Sequence, residues 1–135
     1  MIRFLGCLLL VVAAGCGQGA TSSLTGTCFY GGAPIEEGQI RLFPIDGTPG
    51  HGAATRIEQG RYAFAPTAGL FAGEYLVAVS ATRATGRMLA GEGLPGEPDM
   101  VPEILQYIPE RYNQDSQLRI TLKPGENEHD FTLSE

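Results

Sequence analysis

The sequence predicts an all-β sandwich or barrel. Three observations carry that expectation: short runs in which apolar and polar residues alternate, glycine and proline clusters between those runs, and almost no helical periodicity beyond residue 24. The alternation has period two because successive side chains on a strand point to opposite faces. Nineteen glycines and nine prolines supply the punctuation, since glycine accepts backbone angles closed to other residues and proline presets turns.

The elements follow in order. Residues 24–30 form the first expected strand, with turn material at Gly31-Gly32-Ala33-Pro34 and Glu36-Glu37-Gly38. Residues 39–43 form the second, Ile40 and Leu42 facing one way and Arg41 the other, before Pro44 ends it. A loop over 46–52 leads to strands 53–58 and 61–65, which flank Gln59-Gly60, a hairpin signal because glycine tolerates positive φ. Residues 74–82 make the strongest strand, with Tyr75, Val77 and Val79 on one face. Strands 117–122 and 128–133 close the chain around Lys123-Pro124-Gly125-Glu126-Asn127. Seven strands are close to the number that builds a small two-sheet sandwich. Between the fifth and sixth, residues 83–114 carry Gly91, Gly93, Pro95, Gly96, Pro98, Pro102 and Pro109 and are expected to be one long loop, with a helical turn over 101–107 after Asp99.

The amino-terminal run has a different grammar. Arg3 precedes an apolar stretch from Phe4 to Ala14, and Ala13-Ala14-Gly15 stands before Cys16. That stretch is short of the roughly 20 apolar residues a spanning helix needs and matches a signal h-region. The small residues resemble the lipobox cut by lipoprotein signal peptidase, which implies that residues 1–15 are removed and that Cys16 becomes a lipidated first residue. Residues 16–23 then read as a lipidated tether, and 24–135 as the domain. Cys7 has no h-region before it. Gly17 after the cysteine differs from the aspartate associated with inner-membrane retention, so an outer-membrane address in the cell envelope is expected.

Removal of residues 1–15 leaves eight basic residues against fifteen acidic, a net charge of −7. Such a surface repels phosphate backbones, and no basic stripe interleaved with aromatics occurs, so nucleic acid is not an expected partner. Cys28 remains as a single unlipidated cysteine in an apolar run, expected to be a small core residue.

Chemistry-bearing residues are scattered. His51 lies in a glycine-rich loop and His129 in the last strand, neither at metal-ligand spacing from a cysteine or another histidine. Glu126, Glu128 and Asp130 gather near a hairpin tip without the spacing of an EF-hand; charge there is expected to guard a strand edge. Glu92, Glu97, Asp99 and Glu103 read as acidic decoration of the long loop. No catalytic residue, cofactor or metal is expected.

The order of the punctuation adds a resemblance. Gly31-Gly32-Ala33-Pro34-Ile35 followed by Gly38-Gln39-Ile40-Arg41-Leu42-Phe43-Pro44, then Gly60-Arg61-Tyr62-Ala63-Phe64 and Gly73-Glu74-Tyr75-Leu76-Val77, resembles carboxypeptidase regulatory-like domains. Ile108-Pro109-Glu110-Arg111-Tyr112-Asn113, Pro124-Gly125-Glu126-Asn127 and Phe131 make the chain more similar to small exported lipoproteins of planctomycete-type bacteria, over about residues 24–134. The resemblance implies a seven-stranded Greek-key sandwich of transthyretin-like (prealbumin-like) fold. Tyr112 would plug the core edge and Asn113 would hold a turn. Hydroxyisourate hydrolases of related fold end in a Tyr-Arg-Gly-Ser tail, which this chain lacks, and the single lysine, Lys123, sits at a strand exit, ill placed for an internal isopeptide bond.

The expected function is therefore a membrane-anchored lipoprotein with a non-catalytic binding or structural module, engaging an envelope protein or glycan. Tyr107, Arg111, Glu97 and Asp99 are the candidate interaction residues of the long loop. The alternative is a small hydrolase or ligand carrier that uses loop 83–114 as a lid, and it requires a convergent acid–base pair.

Overall fold

A computed structural model describes residues 20–96 and 99–135. It is all-β, with 61% strand, a curled and largely antiparallel sheet, and no α-helix among the described residues. Ten strands occur: β1 (Ser22–Tyr30), β2 (Ala33–Pro34), β3 (Glu37–Ile45), β4 (Ala53–Glu58), β5 (Arg61–Phe64), β6 (Gly73–Ala90), β7 (Met100–Gln106), β8 (Leu118–Leu122), β9 (Gly125–Glu128) and β10 (Phe131–Leu133). The hydrogen-bonded path runs β10-β1-β5-β4-β3-β6-β7, with β2 and β9 also on β1 and β8 on β6.

The core follows from alternation. Ile40 and Leu42 of β3, Tyr75, Val77 and Val79 of β6, and Ile120 and Leu122 of β8 all point inward and are buried, while Arg41 and Thr121 between them are exposed. The Gln59-Gly60 hairpin takes positive φ at both residues, 51° and 75°, as the tight turn that suits strand twist demands. Tyr75 is fully buried, and its hydroxyl donates to the Phe71 carbonyl and accepts from the Phe71 amide, both at 2.9 Å.

β1 is the seam of the fold. On one side its register pairs Gly26 with Tyr62 of β5. On the other it runs parallel to β9 through Thr25↔Glu128 and to β10 through Cys28↔Phe131. The break between β9 and β10 is closed by the His129 amide donating to the Thr25 carbonyl and the Thr27 amide donating to Asp130 Oδ1, each at 2.9 Å. Asn127 ties the preceding turn. Its Nδ2 donates to the carbonyls of Ser23, Lys123 and Gly125, and its Oδ1 accepts the Lys123 amide.

Three expectations are corrected. Three strands add to the expected seven: β2, β7, and β9, which occupies most of the turn expected over 123–127, while the strand expected over 128–133 shortens to β10 at Phe131–Leu133 and that expected over 39–43 runs on through Pro44 to Ile45. The expected strand 74–82 runs on to Ala90. Residues 83–106 are not a loop with a helical turn: 101–107 falls mostly within β7, which pairs with the distal half of β6 from Thr82↔Gln106 to Ala90↔Met100. Backbone pairing outweighs the glycine and proline count here, since an edge strand accommodates Pro102 and a bulge accommodates Gly86.

Candidate functional site

The distal ribbon of β6 and β7 stands clear of the core. β6 alternates buried and half-buried residues as far as Ala81, and every residue from Thr82 to Ala90 is exposed. Amino-acid type does not follow that exposure. Among the described residues, seven of the eight exposed large hydrophobics, Met88, Leu89, Leu94, Met100, Val101, Ile104 and Leu105, lie on this ribbon or its tip; the eighth is Phe43. Leu94, at the tip, is 78% exposed.

The two faces of the ribbon differ chemically. Directly opposed residues share a face, so beyond the polar pair Thr82↔Gln106 at its base, the register Ala84↔Ile104, Met88↔Pro102 and Ala90↔Met100 makes one face apolar in six positions. The other face carries Arg83, Leu105, Glu103, Leu89 and Val101. The bulge between Ala84 and Met88 centres on Gly86, at φ 84°. Glu103 pins it by accepting a 2.6 Å hydrogen bond from Thr85 Oγ1 and pairing with Arg87 at 3.8 Å. Three residues of β6 span one of β7 there, so parity is kept and the apolar face continues past the bulge.

At the ribbon's base, Tyr107 packs against Tyr30 with ring centroids 5.7 Å apart, and the Arg83 guanidinium lies 4.7 Å from the Tyr107 ring centre. Burial raises the Tyr107 hydroxyl above the ordinary tyrosine range, with Arg83 pulling the other way. These residues line a cleft with Pro34, Thr82 and Glu135. A second cleft, between β1, β4 and β5, is lined by charged side chains including Arg56, Arg61, Glu128 and Asp130. Asp130 is occupied there by the Thr27 amide.

The sequence-predicted candidates are not brought together. Tyr107 anchors the base, whereas Asp99 lies at the tip, its carbonyl accepting the Gly91 amide. Arg111 sits on the short 3-10 turn Glu110–Tyr112, stacked 4.8 Å from the Tyr112 ring and donating to the Ser134 carbonyl. Its fixed partners make Arg111 a clamp on the carboxyl-terminal strand. Glu97 and Cys16 lie outside the described residues.

Other residues take structural parts. Tyr112 packs half-buried against the core, and hydrogen bonds at its hydroxyl, first from the Ser134 side chain and then from Arg111, pull its pKa down to about 8. Asn113 Nδ2 donates to the carbonyls of Ile108 and Pro109, and its Oδ1 accepts the Gln114 amide. Cys28 is fully buried, and desolvation pushes its thiol up to about 12, which removes it from thiolate chemistry at neutral pH. His51 and His129 are exposed, and no group of three or more histidine, cysteine, aspartate or glutamate side chains able to hold a cation occurs among the described residues.

The apolar face was missed from sequence because its period-two signal is interrupted. Ala84, Met88 and Ala90, like Met100, Pro102 and Ile104, sit at even positions, but Pro102 and the glycines and prolines of 91–98 read as loop punctuation.

Fold and site together define a class: an all-β, sandwich-like domain that carries an exposed two-stranded arm with one apolar face. No protein-family model matches the chain, and neither curated proteins nor solved structures give a significant match.

Proposed function

We propose that this chain is an exported lipoprotein, anchored to an envelope membrane through Cys16, whose transthyretin-like Greek-key domain is a non-catalytic binding module with the β6–β7 ribbon as its binding element. One observation carries the reading: among the described residues, seven of the eight exposed large hydrophobics lie on the ribbon or its tip, where residues 82–90 of β6 and all of β7 bury no side chain. A two-stranded ribbon gains little stability alone, and exposed apolar patches mark interaction sites. Its exposed residues are therefore read as contacts for something outside the chain. An enzyme with the ribbon as lid would need acid–base groups beneath it. The cleft at its base is lined by Tyr30 and Tyr107, by Arg83 stacked on Tyr107, and by the carboxylates Glu36, Glu37 and Glu135, with no histidine or cysteine among its lining residues.

The described chain begins beside Phe71, Gly125 and the start of β6, while the ribbon leaves from the other end of β6. At about 3.3 Å per residue, and with the bulge taking two residues out of the ladder, the far end of β6 stands at most roughly 50 Å from its start. A domain tethered there would hold its apolar arm away from its own membrane.

Two experiments test the reading. Cys16→Ser is expected to abolish lipid labelling and release the protein to the soluble fraction; unchanged membrane retention would refute the anchor. Capture of envelope proteins and glycans by the domain is expected to fall at least tenfold when Met88 and Ile104 are both changed to Ser, and undiminished capture would refute the ribbon as binding element.

A further inference from the structure

We infer that the cleft at the base of the ribbon and the cleft between β1, β4 and β5 form one groove that binds an extended neutral glycan. This site is independent of the ribbon's apolar residues and goes beyond the reading of the ribbon as a binding element.

The pattern of side-chain pairing singles out the groove. The hydroxyls of Tyr62, Tyr75 and Tyr112 each hydrogen-bond within the chain, as packed tyrosines ordinarily do. Tyr30 and Tyr107, which line the cleft at the ribbon's base, are half-buried, yet their hydroxyls make no such bond among the described residues. The arginines divide in the same way. Arg41, Arg87, Arg111 and Arg119 each hydrogen-bond or ion-pair with a protein group. Among the described residues, the guanidinium groups that do neither are Arg83 in this cleft and Arg56 and Arg61 in the other. The unpaired tyrosines and arginines therefore gather along two clefts, and the clefts meet at Glu36, Glu37 and Gln59, which line both. Main-chain bonds fix that meeting point: the Gln59 amide donates to the Glu36 carbonyl at 2.8 Å, and the Gly60 amide to the Ile35 carbonyl at 2.7 Å.

Charge and ring geometry select the ligand. At the ribbon's base three carboxylates, Glu36, Glu37 and Glu135, accompany one guanidinium, which disfavours an anion. A cation would find its aromatic position filled, because Arg83 already sits 4.7 Å from the Tyr107 ring centre. A neutral polyol uses both signs: its hydroxyls donate to the carboxylates and accept from the guanidinium. Stacking on Tyr107 orders Arg83 and leaves its in-plane N–H donors free. Tyr30, its ring tilted 58° from Tyr107 and covered by no guanidinium among the described residues, offers the electron-rich face on which the C–H groups of a sugar ring stack. Past Glu37 and Gln59, Arg61, Thr25, Thr27 and Glu128 repeat the mixture of donors and acceptors, so the groove suits an oligosaccharide rather than one sugar.

Isothermal titration of the Cys16→Ser chain tests the proposal, using gluco-, manno-, galacto- and chito-oligosaccharides, each as disaccharide and hexasaccharide. At least one hexasaccharide is expected to bind with a Kd below about 1 mM, and more tightly than its disaccharide. Arg83→Ala is expected to weaken that binding at least about tenfold, with unchanged cooperative unfolding because the side chain is exposed. Tyr30→Ala is expected to do the same, while Tyr30→Phe, which keeps the ring, stays within about threefold. Arg61→Ala is expected to narrow the gap between hexasaccharide and disaccharide. Changing Met88 and Ile104 to Ser is expected to leave sugar binding intact, so the groove and the ribbon reading fail separately. No binding of any of these sugars at about 10 mM, binding indifferent to Arg83→Ala, or preference for hexalysine or a sulfated hexasaccharide over the neutral one would each overturn the inference. Loss of sugar binding in the Met88 and Ile104 variant would place the sugar on the ribbon and overturn it too.

Discussion

Gly26→Ala is a sharp test of the fold, because one methyl group meets backbone on a crowded face. A Cβ at residue 26 would fall well inside contact distance of the His129 carbonyl and 2.9 Å from the Tyr62 hydroxyl. Gly26 is not among the residues with positive φ, so backbone strain contributes nothing and the cost is steric. The obstacle is the carbonyl between β9 and β10. Pushing it away loosens the His129 amide bond to Thr25 and the Tyr62 hydroxyl bond to His129. Overpacking costs about 1–3 kcal/mol, and each loosened hydrogen bond about 1 kcal/mol, so a loss of roughly 3 kcal/mol is expected. At about 4 °C per kcal/mol for a domain of this size, Tm should fall by roughly 12 °C, measurable by urea titration and calorimetry. Two companions separate the causes. Adding His129→Ala should not rescue Gly26→Ala, because the clash is with main chain, and Tyr62→Phe alone should cost only about 1 kcal/mol. A Gly26→Ala variant within about 0.5 kcal/mol of the parent would refute the parallel β1–β9–β10 seam.

Further outcomes follow from the same contacts. Asn127→Ala removes one accepted and three donated hydrogen bonds and is expected to cost about 2 kcal/mol, read by denaturant unfolding. One of the five tyrosines should titrate near pH 8 by ultraviolet difference absorbance, and Ser134→Ala should move it toward the ordinary value. Because that folded pKa lies below the unfolded one, the Tyr112 contribution to stability grows as pH rises from about 8 to 10 and is lost as pH falls through about 8. Cys28 has the opposite sign: its contribution is full below its unfolded pKa near 9 and is lost as pH rises through about 12. A Cys28→Ala variant should show a shallower alkaline limb, and the native thiol should resist Ellman's reagent at pH 8 until the chain unfolds. Replacing residues 86–98 by a short turn is expected to leave cooperative unfolding intact, since no side chain from Thr82 to Ala90 is buried; loss of cooperativity would refute the ribbon's independence of the core.

The core strands were legible because each carries its period-two pattern over at least four residues. Leu24 and Cys28, Ile40 and Leu42, Tyr75 to Val79, and Ile120 and Leu122 all face the core as that pattern implies. The turns at Gln59-Gly60 and Asn113 were legible for local reasons, positive φ in the first and a short amide reaching main chain in the second. The ribbon was not legible. Its glycines and prolines carry the composition of a loop, and its apolar residues repeat at even positions across a bulge, so only the pairing of Met88 with Pro102 shows that they share a face.

By itself the sequence determined what local chemistry controls: an all-β chain, its punctuation, most of its core and a buried lone cysteine at Cys28. Tertiary structure alone decided how residues distant along the chain meet. It set the His129 carbonyl against Gly26, clamped Arg111 and Tyr112 onto Ser134, and paired residues 82–90 with 100–106 into an arm whose apolar side faces solvent. Register is a relation between two strands, and neither strand alone contains it.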